Sequence, residues 1–292
     1  MAKAEKQAGT ISMAGLKIGN VRFYERGGKV FARMAATSYM PNKRSGGQMM
    51  NRLRFNSVRY LWKSFKDELK GSFEGVELGK SAYTTFMRLN SHKGVFLSKE
   101  QQASRFQVVT PLQISEGTLQ PILQTINENK QLVSDIVLGD FEITTETSVR
   151  EFCIALANAN PQLEYNDELH LVAVKQDVNQ MDTPLCKVEV MSLKLDLADE
   201  RPLLTVVGKF PLCNKDGYLA TNENLPCGCY AFYLSRVEGQ KTLVSSQNLA
   251  SNNDELIEKY ISEEQFNMAR QSFGKVEEAP IAPWQFEKPT FE

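Results

Sequence analysis

The chain has little of what most enzyme chemistry requires. Only two of its 292 residues are histidine, His92 and His170, and five are cysteine. It contains no G-x-x-x-x-G-K-[ST], no G-x-S-x-G and no H-E-x-x-H. That excludes the P-loop, the nucleophile elbow and the zinc-binding helix in their usual forms. His92 sits in the loop-like NSHKG, and His170 alternates with apolar neighbours in ELHLVAV, a pattern that suits a cross-strand residue better than a ligand. The cysteines are odd in number, and Cys227 and Cys229 in PCGCY lie too close for an ordinary mutual disulfide. Cys213, Cys227 and Cys229 also lack the paired knuckles of a zinc site. All five are expected as reduced thiols of an intracellular protein, behaving as small apolar side chains. No metal, no cofactor and no small-molecule substrate is expected. Asp135, Asp140, Glu142, Asp167 and Glu168 are scattered acids, expected in solvent. No run approaches the roughly 18–20 apolar residues of a membrane-spanning helix. MAKAEKQAGTISMAGLKIGN lacks the apolar centre of a secretory signal.

What the chain does have is charge arranged by sign. It is 42% hydrophobic and 24% charged, so a core is available and general disorder is not expected. The net charge of −1 hides a division. Residues 1–110 hold 20 Lys and Arg against 7 Asp and Glu, and the remainder holds 14 against 28. Such asymmetry points to an anionic partner or to head-to-tail self-association.

The sharpest case is NRLRFNSVRYLWKSFKDELK, residues 51–70. Wound as a helix, it places Arg52, Arg59, Lys63, Lys66 and Lys70 on one narrow stripe, opposite Leu53, Val58, Leu61, Trp62, Phe65 and Leu69. Surface helices normally mix signs, because i,i+4 pairs help them. This one withholds acids until Asp67 and Glu68. Arg54 falls on the apolar side, where it needs a carboxylate or carbonyl partner, Glu25 being a local candidate.

Periodicity predicts an α+β fold in four parts. Residues 1–15 form a flexible arm. Residues 16–100 form a basic module: a β-hairpin turning at Gly27-Gly28, then a helix over about 48–70 and a second over about 81–90. Residues 101–250 form a mainly antiparallel, β-sandwich-like domain. Its short strand-like runs include ELHLVAVKQ, CKVEVMSLKLDL, LLTVVGKF and CYAFYLSRVEG. Into it is inserted one helix, TSVREFCIALANA, capped by Thr147 or Ser148 with Glu151 three residues after Ser148. Residues 251–292 form an acidic amphipathic helix and a Pro- and aromatic-containing extended tail.

Three stretches, GNVRFYERGGKVFAR, QMMNRLRFNSVRYLWKSFK and GCYAFYLSRVEGQKTLVSSQ, resemble a large family of uncharacterised Bacteroidota proteins. In that family a basic hairpin reads G-x-V-x-x-Y-x-R-x-G-K-x-x-x-R, and a helix follows with Q-x-x-x-R-x-x-F. A C-terminal β-region closes in a hairpin. Gly19, Val21, Tyr24, Arg26, Gly28, Lys29 and Arg33 match the first motif, and Gln48, Arg52 and Phe55 match the second. The likeness covers most of the chain, thins between residues 115 and 145, and leaves out the segment after Asn253. The family is similar in architecture to small structural proteins of phages and mobile elements, and supplies no catalytic residues. The resemblance implies a virion or the host cytoplasm as the setting.

Two readings follow. In the first, the chain is a non-enzymatic, self-assembling structural protein of a phage or phage-like particle, a homo-oligomer without membrane insertion. Its basic half meets the acidic half of another copy, and Trp284, Phe286 and Phe291 of the tail dock on a neighbour. In the second it binds nucleic acid. Arg22, Arg26, Lys29, Arg33, Lys43, Arg44, Arg52, Arg59, Lys63 and Lys66 then contact phosphates, and Phe23, Tyr24 and Phe31 stack on bases. The same ten cations serve the subunit contact in the first reading.

Overall fold

Turn residues and runs of β-branched or aromatic residues set the order of elements in the computed structural model. It describes residues 3–4, 17–19, 21–26, 29–34, 46–69, 71–75, 81–179, 182–208 and 210–274. The chain divides into two compact units, Met1–Arg44 and Ser45–Glu292. The hairpin and the basic helix, grouped in one module on sequence grounds, therefore belong to different units.

The first unit is an antiparallel sheet. Its strands are β1 (Lys3–Ala4), β2 (Lys17–Ile18), β3 (Val21–Arg26) and β4 (Lys29–Met34), in the order β1-β4-β3-β2. Val21 pairs with Met34 and Arg26 with Lys29, so the two strands of the expected hairpin pair in register, and Gly27-Gly28 lie outside the described residues. The expected flexible arm contributes β1, which pairs Lys3 with Phe31.

The second unit opens with helices α1 (Gly46–Phe65), α2 (Ala82–Asn90) and α3 (Lys99–Ala103). Strands β5 (Gln113–Ser115), β6 (Gln124–Ile126) and β7 (Leu132–Val137) follow, then α4 (Val149–Ala159), β8 (Glu168–Val178) and β9 (Pro184–Lys194). Next come α5 (Leu203–Val207), β10 (Leu212–Lys215), β11 (Tyr218–Thr221), β12 (Gly228–Glu238) and β13 (Lys241–Val244). The chain then runs through β14 (Gln247–Asn248), β15 (Ala250–Ser251), α6 (Asp254–Ile261) and α7 (Glu263–Ser272).

The central sheet runs β13-β12-β8-β9, with β15 also on β12. A second sheet runs β10-β11-β7-β6, and β14 pairs with β5. All these pairings are antiparallel. The fold is α+β, as the periodicity predicts.

The central sheet is buried on both faces. On one, Leu169, Leu171, Leu193, Tyr230 and Phe232 meet Leu132, Ile136, Leu212 and Leu219 of the second sheet, with Phe152 and Leu156 of α4. On the other, Val172, Val174, Cys229 and Ala231 meet Val58, Leu61 and Phe65 of α1, with Phe86 and Met87 of α2. This is why LVAV after His170 and CYAFYL are continuous runs without charge and not the alternation of a one-sided sheet. The sandwich is thus one half of a layered body whose other half is helical. Leu53, Val58, Leu61 and Phe65 are all at most 1% exposed. At about 1.5–3 kcal/mol for each buried side chain, packing rather than propensity holds α1 in place.

Local signals explain most boundaries. Ser148 accepts from Glu151 N–H while the Glu151 carboxylate accepts from Ser148 N–H, the expected capping box of α4. Ser81 precedes α2 but makes no side-chain cap bond. The basic helix ends at Phe65, five residues before its expected end. A turn with both Leu69 N–H and Glu68 N–H on the Phe65 carbonyl carries the chain on to Leu69. LLTVVGKF, expected as a strand, contains α5 instead. Pro202 starts it, and Gly208, at φ +53°, ends it. The expected single acidic helix is two. Ser262 takes an extended conformation and its hydroxyl accepts from Gln265 N–H, so α7 begins afresh.

Candidate functional site

α1 turns its apolar side to the central sheet, and that leaves its basic stripe outside. Arg52, Arg59, Lys63 and Lys66 are all exposed, Lys66 lying in the turn just past the helix. Lys70 lies outside the described residues. Lys66 approaches Asp67 at 3.9 Å, a loose surface contact worth little. Lys63 stands 5.1 Å from the ring centre of Tyr60. Among the described residues, Arg59 and Lys63 make no ion pair. An exposed stripe of this kind holds its field for whatever anion approaches.

The opposite sign is exposed on the same unit. Asp254 and Glu255 open α6, and Glu263 and Glu264 open α7. All four are exposed, and none makes an ion pair among the described residues. Their placement in first turns complements the helix dipoles. Helix α7 lies against the start of α1 through Phe266 and Ala269 on Met49, Met50 and Leu53.

The other expected contact residues are divided. Arg22 and Arg33 are exposed on β3 and β4, and Arg26 faces Lys29 across the hairpin register. Tyr24 and Phe31, also paired in register, stack with ring centres 5.6 Å apart, and the Arg33 guanidinium lies 5.6 Å from the Tyr24 ring centre. Phe23 is half-buried. Lys43, Arg44, Trp284, Phe286 and Phe291 lie outside the described residues.

Inside the body, charge is handled differently. Asp167, expected in solvent, is 1% exposed. Its two oxygens accept from Arg236 Nε at 2.7 Å and Nη2 at 2.9 Å, and Arg236 Nη1 donates to Glu164 at 2.5 Å. The Asp167 bonds hold the Arg236 guanidinium above its ordinary pKa. Glu189 on β9 accepts from Lys175 and Lys187, each at 2.7 Å. Those bonds bring its carboxyl down to about 2. Asp135 is half-buried and accepts from Leu123 N–H, yet burial raises its pKa overall. Asp140 and Glu142 are in the connection after β7, both exposed as expected.

Both histidines are placed by packing. His170 sits in mid-sheet, 8% exposed, with Nδ1 2.7 Å from Ser192 Oγ and Nε2 2.8 Å from Ser235 Oγ. Tyr233 stacks on it with ring centres 4.4 Å apart. Burial lowers its pKa to about 4. The imidazole is therefore neutral at pH 7, and Glu168 at 3.7 Å is a neighbour rather than an ion-pair partner. This is the cross-strand role its alternation predicts. His92 is exposed, and burial, Lys93 and Arg54 lower its pKa.

Arg54 sits on the apolar side of α1, as its position in the period predicts. It is half-buried, but no carboxylate or carbonyl receives its guanidinium among the described residues. The guanidinium lies 5.2 Å from the ring centre of Phe96, its Nε is buried without a partner, and burial lowers its pKa. The side chain of Glu25, the candidate partner, lies outside the described residues.

The cysteines are free. Burial pushes Cys153 up to about 11 and Cys229 up to about 12, so neither is a thiolate at neutral pH. Cys213 donates to the Thr221 carbonyl, and Cys227 to Asn253 Oδ1 at 2.9 Å. Cys227 also borders a cleft of about 700 Å³ with Lys130, Asn253 and Lys259. Its hydrogen-bond partner there is an amide oxygen, which cannot take its proton. Burial raises this thiol's pKa as well. Among the described residues, no three His, Cys, Asp or Glu side chains are grouped to hold a metal ion. Nor is any helix there long and apolar enough to cross a membrane.

Sequence reasoning did not foresee the open side of β9, which is the outer strand of the central sheet. CKVEVMSLKL announces a strand, but not which of its edges has a neighbour. Comparison with protein-family models, with curated proteins and with solved structures finds no match.

Proposed function

We propose that the protein is a non-enzymatic, self-assembling interaction protein whose copies join through basic-to-acidic contacts. One observation carries this reading: a single unit exposes charge of both signs that makes no ion pair among the described residues. Arg59 and Lys63 lie on α1, and Asp254, Glu255, Glu263 and Glu264 lie on α6 and α7. The helices that carry them pack through apolar seams and leave these charges outward. A second copy can satisfy both surfaces head to tail. The family resemblance makes a phage or phage-like particle the setting of choice.

A second reading, nucleic-acid binding, draws on the hairpin. The Tyr24–Phe31 stack with Arg33 beside it is the aromatic-plus-cation arrangement on which bases stack.

The test is Arg59→Glu with Lys63→Glu, measured as mass by light scattering on nuclease-treated protein across a salt series. Assembly predicts a large, nucleic-acid-free species in the parent that loosens as salt rises, and a drop in mass in the variant. A parent that is monomeric once nucleic acid is removed, with the variant losing salt-dependent nucleic-acid affinity instead, overturns assembly in favour of the second reading.

A further inference from the structure

The outer side of β9 is an unfinished ladder. The strand pairs with β8 along its whole length, Glu168 with Lys194 through Val178 with Pro184. In an antiparallel pair, alternate residues turn both backbone groups toward the partner and the rest turn them away. Gln107 shows which residues face away. Its N–H donates to the Pro184 carbonyl at 2.8 Å, and Cys186 N–H donates to its Oε1 at 3.3 Å. The even-numbered residues therefore face outward. Gln107 covers the first rungs, and the Lys194 carbonyl is taken by Asp196 N–H at 3.0 Å. Between them, the N–H and C=O groups of Val188, Val190 and Ser192 have no partner among the described residues. These three rungs line a groove of about 540 Å³ whose other walls include Glu68, Val206 and Phe210.

A long strand edge left bare invites another strand. We infer that this edge receives residues Trp284–Lys288 of a neighbouring copy as an added strand. The inference rests on the assembly reading and names the acceptor that the tail would use.

Three features select that occupant. The open edge runs over five residues, Val188 to Ser192, and WQFEK is a five-residue stretch free of proline between Pro283 and Pro289. Proline has no N–H for a ladder, so the pairing length is set at both ends. Trp284 and Phe286 are two apart, so a strand puts them on one face, matching Val188 and Val190, which are half-buried on one face of β9.

The third feature is reach. Helix α7 and Phe273 pack on Met49, Met50 and Leu53 near the start of α1, whereas the groove lies past its other end, at Glu68. Leu53 to Phe65 is about 18 Å at helical rise, and the turn on to Glu68 brings the distance to at most about 23 Å. Residues 275–283 in extended, Pro-containing form reach about 28 Å. That reach exceeds the straight line by only about 5 Å, while a neighbour's groove imposes no such limit.

The test pairs two readouts on the full chain. Hydrogen exchange of the Val188, Val190 and Ser192 amides reads docking, and light scattering reads assembly. In the parent protein at assembling concentration, these amides should exchange roughly tenfold or more slowly than after dilution to monomer. Phe286→Pro should abolish the slowing and lower the mass, while far-ultraviolet circular dichroism stays unchanged. Val190→Pro, placed where the lost N–H faces outward, should do the same from the acceptor side. Fast exchange at these amides in an assembled parent overturns the inference and leaves charge-driven assembly standing. Slow exchange that survives dilution to monomer shows the tail on its own chain, and slow exchange that survives Phe286→Pro shows another occupant; either overturns it. A parent that is monomeric at every concentration removes the assembly reading itself.

Discussion

The central sheet and the outer face of α1 both carry charge and treat it in opposite ways. In the sheet the charges withdrawn from water meet their complements. Arg236 holds the buried Asp167, and Glu189 is shared by Lys175 and Lys187. On α1, Arg59 and Lys63 are exposed and make no ion pair among the described residues. The difference follows from dielectric. A charge removed from water must be paired, whereas one left in water can be kept in reserve for a partner. Arg54 falls between the two regimes, buried at Nε but faced by a phenyl ring.

The comparison breaks first at Arg236. Arg236→Ala leaves the Asp167 carboxylate buried without its counter-charge, held only by the Glu164 N–H at 2.9 Å, and should cost about 3–5 kcal/mol. Urea denaturation of the two proteins would show this as a large fall in midpoint. A loss under about 1 kcal/mol would mean that water replaces the guanidinium and that the sheet's ion pairs matter no more than surface ones.

A smaller effect comes from pH. The His170 imidazole is held at about 4, against about 6.5 in an unfolded chain. Between those values the unfolded chain binds a proton that the folded one refuses. Its contribution is therefore fully present above pH 6.5 and is lost as pH falls toward 4, about 3 kcal/mol in all. Urea midpoints of the parent and of His170→Gln at pH 7.5 and pH 4.5 isolate that share, which the variant should lack.

Arg54→Met sharpens the intermediate case. It removes an unpartnered buried donor while keeping an apolar stem over Phe96, and should raise stability by about 1 kcal/mol. A clear loss of stability would show that the contact with the Phe96 ring outweighs desolvation. The smallest effect belongs to the outer face. The Arg59→Glu, Lys63→Glu chain should unfold within about 0.5 kcal/mol of the parent, even as its assembly fails.

Much of this contrast was legible in the residues. The stripe on α1 follows from helical period alone, and Thr147 or Ser148 followed by Glu151 marks the start of α4 to within one residue. ELHLVAV and GCYAFYL announce strands. That they lie in a sheet covered on both faces follows only from what packs there, since periodicity does not report layers. Asp167 looked like an ordinary loop acid because Arg236, its partner, is distant in sequence. LLTVVGKF favoured a strand through its β-branched residues, but Pro202 and Gly208 enclose a single helical turn. Neither the open rungs of β9 nor the lone Nε of Arg54 has a sequence signature, because each is defined by what is not beside it.

The two-sided burial of the central sheet also sets an order of events in synthesis. The seam of α1 needs Cys229 and Ala231 of β12, and β8 needs β12 as its neighbour. The ribosome delivers those residues roughly 170 positions after Leu61, about ten seconds or more at ordinary elongation rates. For that interval an apolar helix face waits without its sheet. The nascent chain is then most exposed to chaperones, and to other nascent copies of itself.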